Sequence, residues 1–178
     1  MSRPARIRRL DGPQAAAAIG ALADVLVDCV EGGASVSFML PIARATAEAF
    51  WRGVADGVAR GERALLVAED PETDEVIGTV QLVLAQPENQ PHRADLSKML
   101  VHRRARNRGV GGDLMRAAEA AARDHGKTLL VLDTASPEAE RVYERAGWIR
   151  VGTIPNYALM PDGPPCATTI FYKEIAQA

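Results

Sequence analysis

Apolar residues recur along this chain with two periods, and the switches between those periods predict its elements. Ala5–Leu10 reads as a short first strand. Asp11-Gly12-Pro13 marks a helix start, and from Ala15 to Val30 apolar residues keep helical spacing (Ile19, Leu22, Leu26, Val30) until Gly32-Gly33 stops them. Ser35–Leu40 reads as a loop, apolar at Phe38 and Met39, and Pro41 opens a second helix to Arg60, weakened inside by Gly53 and Gly57. Glu62–Ala68 and Val76–Ala85 are Leu- and Val-rich runs joined by Asp70-Pro71-Glu72-Thr73-Asp74, which predicts a hairpin. Gln86–Pro91 is a loop and His92–Val101 the next strand. A helix from about Gly111 to His125, a strand Leu129–Asp133 and a helix from Pro137 to about Ala146 follow. Trp148–Ile154 is a strand, Pro155–Pro165 a loop, and Ala167–Ile175 the last strand.

The resulting order is β, α, α, β, β, β, α, β, α, β, β, about seven strands and four helices. Interleaving of this kind implies an α/β (α+β) protein, a mixed twisted sheet covered by helices. The 178 residues, 47% hydrophobic and 25% charged, fit one soluble domain spanning 1–178.

One stretch departs from the pattern. From Lys98 to Met115 the chain leaves a strand end (Met99, Leu100, Val101) and passes Arg103, Arg104, Arg106 and Arg108. It then turns on Gly109, Gly111 and Gly112 into a helix. Glycines allow φ > 0 and leave no Cβ in the way of a ligand. The first helical turn presents free amides and partial positive charge. Basic residues before such a turn make a phosphate or pyrophosphate site. A dinucleotide-binding fingerprint would place its glycines directly after the strand and a third where Leu114 stands. A P-loop would need Gly-Lys-Ser/Thr, which does not follow. The plain alternative is a solvated basic loop.

Net charge changes the picture only locally. At −2 overall the chain offers no general attraction to nucleic acid, and the arginines stand out as a local anion site. Cys29 and Cys166 show neither metal-ligand spacing nor a disulfide framework, which suits a reducing cytosol, and no metal is expected. No apolar run approaches the ~20 residues of a membrane span. The amino terminus carries Arg3, Arg6, Arg8 and Arg9 but lacks the apolar core of a signal peptide, so a cytoplasmic protein is expected.

Arg106-Asn107-Arg108-Gly109-Val110-Gly111 is similar to the R/Q-x-x-G-x-G/A signature of the GCN5-related N-acetyltransferases. Ala139-x-x-x-Tyr143-x-x-x-Gly147-Trp148 resembles that family's A-x-x-x-Y-x-x-x-G-F. The resemblance is clearest from about Arg63 to Phe171 and implies a mostly antiparallel sheet. It also implies acetyl-coenzyme A as co-substrate. Its pyrophosphate would lie on Arg106, Asn107, Arg108, Gly109, Val110, Gly111 and Gly112, and its pantetheine arm along Met99, Leu100 and Val101. Tyr143 would protonate the departing sulfur; the other reading is a core tyrosine. Where many members carry asparagine this chain has Ser136, either a pantetheine ligand or the N-cap of a helix opening with Pro137. Asp133 closes an apolar strand, where a carboxylate is out of place unless used. It is read as the base, and equally as an ammonium ligand or turn cap. Asp95, His92 and His102 are lesser candidates.

Leu129–Thr134, Tyr143, Ile154–Gly163 and Thr168–Lys173 resemble the tabtoxin-resistance branch of the family, and the length and ending resemble the kasugamycin 2′-amine acetyltransferases. This implies a primary amine on a small antibiotic or toxin as acceptor. A monomer or homodimer is expected, and no partner nucleic acid or membrane. Asp95, Asp133, Glu48 and Asp162 are available as carboxylates; Phe38, Trp51 and Tyr157 either wall the pocket or belong to the core, as aromatics at such positions equally often do. The competing class is a non-catalytic acyl-CoA or nucleotide sensor, which would need neither Tyr143 nor Asp133.

Overall fold

The computed structural model describes residues 4–176, so Arg3 lies outside the described residues. The chain runs β1 (Arg6–Leu10), α1 (Gly12–Ala17), α2 (Ile19–Glu31), α3 (Arg44–Ala59), β2 (Arg63–Glu69), β3 (Val76–Val83) and β4 (Arg93–Val101). A 3₁₀ turn (Arg103–Ala105) leads to α4 (Val110–Asp124), β5 (Leu129–Thr134), α5 (Pro137–Arg145), β6 (Ile149–Leu159) and β7 (Pro165–Glu174). One sheet has the order β1-β2-β3-β4-β5-β7-β6, antiparallel throughout except between β4 and β5.

The described residues form five α-helices where four were expected. The first predicted helix starts where expected, at the Asp11–Gln14 capping box, but is two, because the chain turns at Ala18, which ends α1 and begins α2. Pro41 stays in the loop, and α3 begins at Arg44 after Ala43 in extended conformation. β6 runs past Ile154 to Leu159, taking Pro155 with it. Proline is tolerated there because β6 is an edge strand, hydrogen-bonded on one side only, to β7.

Helices cover both faces. Alternate residues of β2 divide between two cores, Ala64, Leu66 and Ala68 toward α4 and Leu65 and Val67 toward α1–α3. A strand buried on both faces reads as an unbroken apolar run, as this one does.

β4 breaks that alternation. Thr79 pairs with Leu100 and Gln81 with Ser97, so Val80 alone opposes Lys98 and Met99. This is a bulge, and Lys98 takes φ +52 in it. Ala94 and Leu96 belong to the core under α4, whereas Leu100 belongs to the core under α1–α3, so the extra residue reverses which way the strand faces. β4 and β5 pair only at Arg93–Asp95 and Leu129–Val131. Beyond that they part, while β5 stays paired with β7 through Thr134.

α4 is seated over this region by Gly78 of β3. A Cβ there would stand 3.0 Å from the Leu100 carbonyl, 3.1 Å from Leu114 Cδ1 and 3.2 Å from Val110 Cγ1. Overpacking of this kind costs about 1–3 kcal/mol. Loss of backbone freedom in the unfolded chain offsets about 0.4–1 kcal/mol. Gly78→Ala should therefore lower stability by about 1–2 kcal/mol in urea titration; an unchanged midpoint would mean that α4 is not seated at this glycine.

Candidate active site

Four arginines precede the glycine turn, and the structure gives them different work. Arg103 pairs with Asp28 at the end of α2, Arg104 with Glu75, and Arg108 with Asp70 in the β2–β3 hairpin. Hydrogen bonds from the Arg108 guanidinium and from the Glu72 amide hold the Asp70 carboxyl below its ordinary pKa, the amide contributing most. Arg106 makes no ion pair among the described residues; its Nε reaches the Val101 carbonyl at 3.4 Å.

The turn itself uses left-handed backbone at Asn107 (φ +60) and Gly109 (φ +80), after which α4 begins at Val110 with no side-chain cap. Its first amides are left for a ligand. At Gly111 an added Cβ would meet only Val101 Cγ2, at 4.0 Å, so packing does not demand glycine there. The space it leaves is open to the cleft, a cradle suited to a pyrophosphate.

That cleft, about 1980 Å³, follows the gap where β4 and β5 part. Met99, Leu100, Val101, Arg106, Asn107, Gly109, Val110, Gly111, Gly112 and Ser136 all line it. Arg108 does not, because Asp70 draws its side chain toward the hairpin. Ser136 caps α5: its hydroxyl accepts from the Ala139 amide at 3.2 Å and donates to Glu138 at 3.1 Å.

Tyr143 and Asp133 approach the gap from opposite faces. Tyr143 belongs to the core under α4, packed against Trp148 and Phe171 at ring separations of 6.0 and 5.8 Å. Among the described residues nothing hydrogen-bonds its hydroxyl, and the residue lines the cleft. Burial first, and then the charge of Asp133, pushes its pKa up to about 12. Leu130 and Leu132 of β5 point into that same core, so Asp133 projects to the other side. Its carboxylate is exposed and accepts a 2.7 Å hydrogen bond from Thr168, itself buried.

Phe38 and Tyr157 line the cleft. Trp51 does not: it is 1% exposed and sits in the core beneath α1–α3, against Phe50. An aromatic on an amphipathic helix is as well suited to a core as to a pocket, and here the core took it. Asp95 touches the cleft, but Arg93 and Gln86 occupy both its oxygens. Glu48 is paired on the surface with Arg44 and Arg52, and neither Asp162, His92 nor His102 lines the cleft. Lys98 does line it and was not foreseen. Its only sequence signal was a cation interrupting an apolar strand end.

A mixed sheet split between two parallel strands, with an anion cradle at one end of the split, is the arrangement expected of an acyltransferase that uses coenzyme A. The sequence profile of the Acetyltransferase (GNAT) family matches residues 37–148, and the chain belongs to that family. Its fold is similar to that of an N-acetyltransferase from Staphylococcus aureus Mu50 (TM-score 0.78, 19% identity, 98% of this chain and 100% of that one covered). It is also similar to yncA of Salmonella typhimurium, solved with acetyl-CoA (TM-score 0.79, 17% identity, 99% and 96% covered). A phosphinothricin acetyltransferase from Sinorhizobium meliloti, in complex with the same cofactor, matches as well (TM-score 0.80, 16% identity, 98% and 90% covered). The protein is an acetyl-CoA-dependent N-acetyltransferase. No helix among the described residues is long and apolar enough to cross a membrane.

Gly111→Asp puts a Cβ and a negative charge into the cradle without crowding the fold. Acetyl-CoA binding by calorimetry should be lost while the circular dichroism stays unchanged. Affinity retained within about threefold, under 1 kcal/mol, would mean that the turn is not the phosphate site.

Proposed function

We propose that this acetyltransferase modifies a primary amine on a small polar antibiotic or toxin by direct attack on the thioester, with Tyr143 as acid and Asp133 as base. The observation that carries the reading is the placement of these two groups on opposite faces of the β4–β5 gap, beside the glycine turn. Acetyl-CoA supplies the acyl group as an activated thioester. Arg106 and the amides at the start of α4 would hold its pyrophosphate, and the unpaired edge of Met99–Val101 its pantetheine arm. A backbone amide of that edge would polarise the acyl carbonyl.

The roles of the two side chains are coupled. Asp133 attracts an ammonium and takes its proton, directly or through water, which frees the amine lone pair. Tyr143 keeps its proton on Oη across the ordinary pH range, because burial and the Asp133 charge both oppose ionisation. Once Asp133 is neutralised one of those two causes disappears, so the phenol becomes a better acid when the leaving thiolate needs one. The sensor reading gives no use to this coupling.

Kasugamycin is the specific acceptor candidate and a tabtoxinine-type β-lactam the second, supported by the likeness of Leu129–Thr134 and Ile154–Lys173 to those branches. Fold similarity to phosphinothricin acetyltransferases, which by name act on another small toxic amine, supports the same class. The test is to incubate the protein with acetyl-CoA and each amine, alongside a histone-tail peptide, and read masses. Acetylation of the peptide alone would overturn the small-molecule reading.

Tyr143→Phe should lower kcat about ten- to a thousandfold, the range of one general acid. Acetyl-CoA affinity and thermal stability should hold, since the hydroxyl binds no described residue. An unchanged kcat would leave Tyr143 as core packing. With the phenol held at about 12, the pH profile of kcat/KM should rise toward the amine pKa. A fall between about pH 7 and about pH 9 would assign the acid to another group.

A further inference from the structure

The acceptor side of the cleft holds a second charge that the acetyl-transfer reading leaves unused. Lys98 sits half-buried in the β4 bulge and lines the cleft together with Asp133. Its ammonium offers three donors. One reaches Ser37 Oγ at 3.1 Å, and the group stands 5.6 Å from the centre of the Phe50 ring. Among the described residues Lys98 makes no ion pair, and neither does Asp133.

The surrounding charges are otherwise engaged. Arg63 donates to Gln81, Asp95 is held by Arg93 and Gln86, and Lys173 is paired with Glu119. Burial lowers the Lys98 pKa, the charge of Asp133 acts the other way, and Arg63 adds to the lowering. A half-buried cation with no counter-ion is costly, and a bound anion would relieve that cost. The cleft thus has two opposite poles, each hydrogen-bonded to a neutral hydroxyl and neither in an ion pair among the described residues.

We propose that Lys98 is a specificity-determining residue of the acceptor pocket, binding a carboxylate carried by the same molecule whose amine Asp133 receives. This rests on the acetyl-transfer reading above and narrows it to amines that also bear a carboxylate. Such a molecule matches both poles. A polycation without a carboxylate would set one of its ammonium groups against Lys98. Kasugamycin, the tabtoxinine-type β-lactam and phosphinothricin each carry a carboxylate beside the amine; kanamycin and spermidine do not.

The test is thiol release from acetyl-CoA with these five compounds, on the wild-type protein and on Lys98→Gln and Lys98→Arg. Turnover should be confined to carboxylate-bearing amines. Lys98→Gln should raise KM for the best of them about 10–100-fold, the range of a lost charge-assisted hydrogen bond. Its kcat should stay within about threefold, acetyl-CoA affinity should not change, and Lys98→Arg should restore KM. Equal or better turnover of kanamycin or spermidine by the wild-type protein would overturn the proposal whatever the variants do. So would a Lys98→Gln protein with wild-type KM. No release from any of the five, with acetyl-CoA still bound, would instead sink the small-amine reading and the proposal with it.

Discussion

Lys98 and Met99 stand opposite Val80 alone, and from that mismatch the working geometry follows. With a regular β4, Leu100 would face α4 like Leu96, and the strand would have no cause to turn from β5. The bulge reverses the facing, sends Leu100 into the opposite core and turns Met99 and Val101 toward α4. Pairing with β5 ends at Asp95, and the backbone beyond it is left without a strand on that side. Backbone groups so exposed need partners. An extended ligand arm supplies them, as an added strand would. The bulge also sets Lys98 at the rim of the same gap.

The arginine stretch shows how like residues are sorted by long-range partners. Arg103, Arg104 and Arg108 each find a carboxylate from a segment distant in sequence: Asp28, Glu75 and Asp70. Each exposed pair of this kind adds little to stability by itself, because solvent screens it. Between them the three tie the turn to the end of α2 and to the β2–β3 hairpin, which fixes where the free amides of α4 point. Arg106, left out of these pairs, is the one whose charge is available to an anion. The basic cluster is three ties and one arginine left without an ion pair among the described residues.

This sorting marks what could be read from residues in order. The turn at Asn107–Gly112 was legible because its geometry is local: glycines, a helix start and a strand end are adjacent in sequence. The apolar run of β2 was legible because burial on both faces leaves no alternation to misread. The break at Ala18 was not, since an alanine-rich run carries no side-chain cap or other marker where one helix ends and the next begins. The bulge was hidden too, because one extra residue in a strand changes no local preference, and with it the meaning of Lys98. Trp51 stayed between pocket and core for a related reason: helical periodicity shows that a residue faces inward and leaves open whether it meets a core or a cavity. Asp95 looked free until Gln86 and Arg93 were found against it.

Donor and acceptor sites also differ in how they are assembled. The donor cradle comes from one continuous stretch and the strand end before it. The proposed acceptor side of the cleft draws Phe38 from the α2–α3 loop, Lys98 from β4, Asp133 from β5, Tyr157 from β6 and Thr168 from β7. The loop and the β6–β7 hairpin are joined by the Leu40 amide to the Pro161 carbonyl at 2.9 Å and by the Ser35 hydroxyl to the Leu159 carbonyl at 3.1 Å. Met39, Leu40, Tyr157 and Leu159 stay largely exposed on those segments. Substitutions there would act on the proposed acceptor side, on segments apart in sequence from the turn at Gly109–Gly112. Lys98 and Asp133 stand on two strands of one sheet, so the sheet carries the charges of the proposed acceptor side while the loop and the β6–β7 hairpin carry its apolar walls.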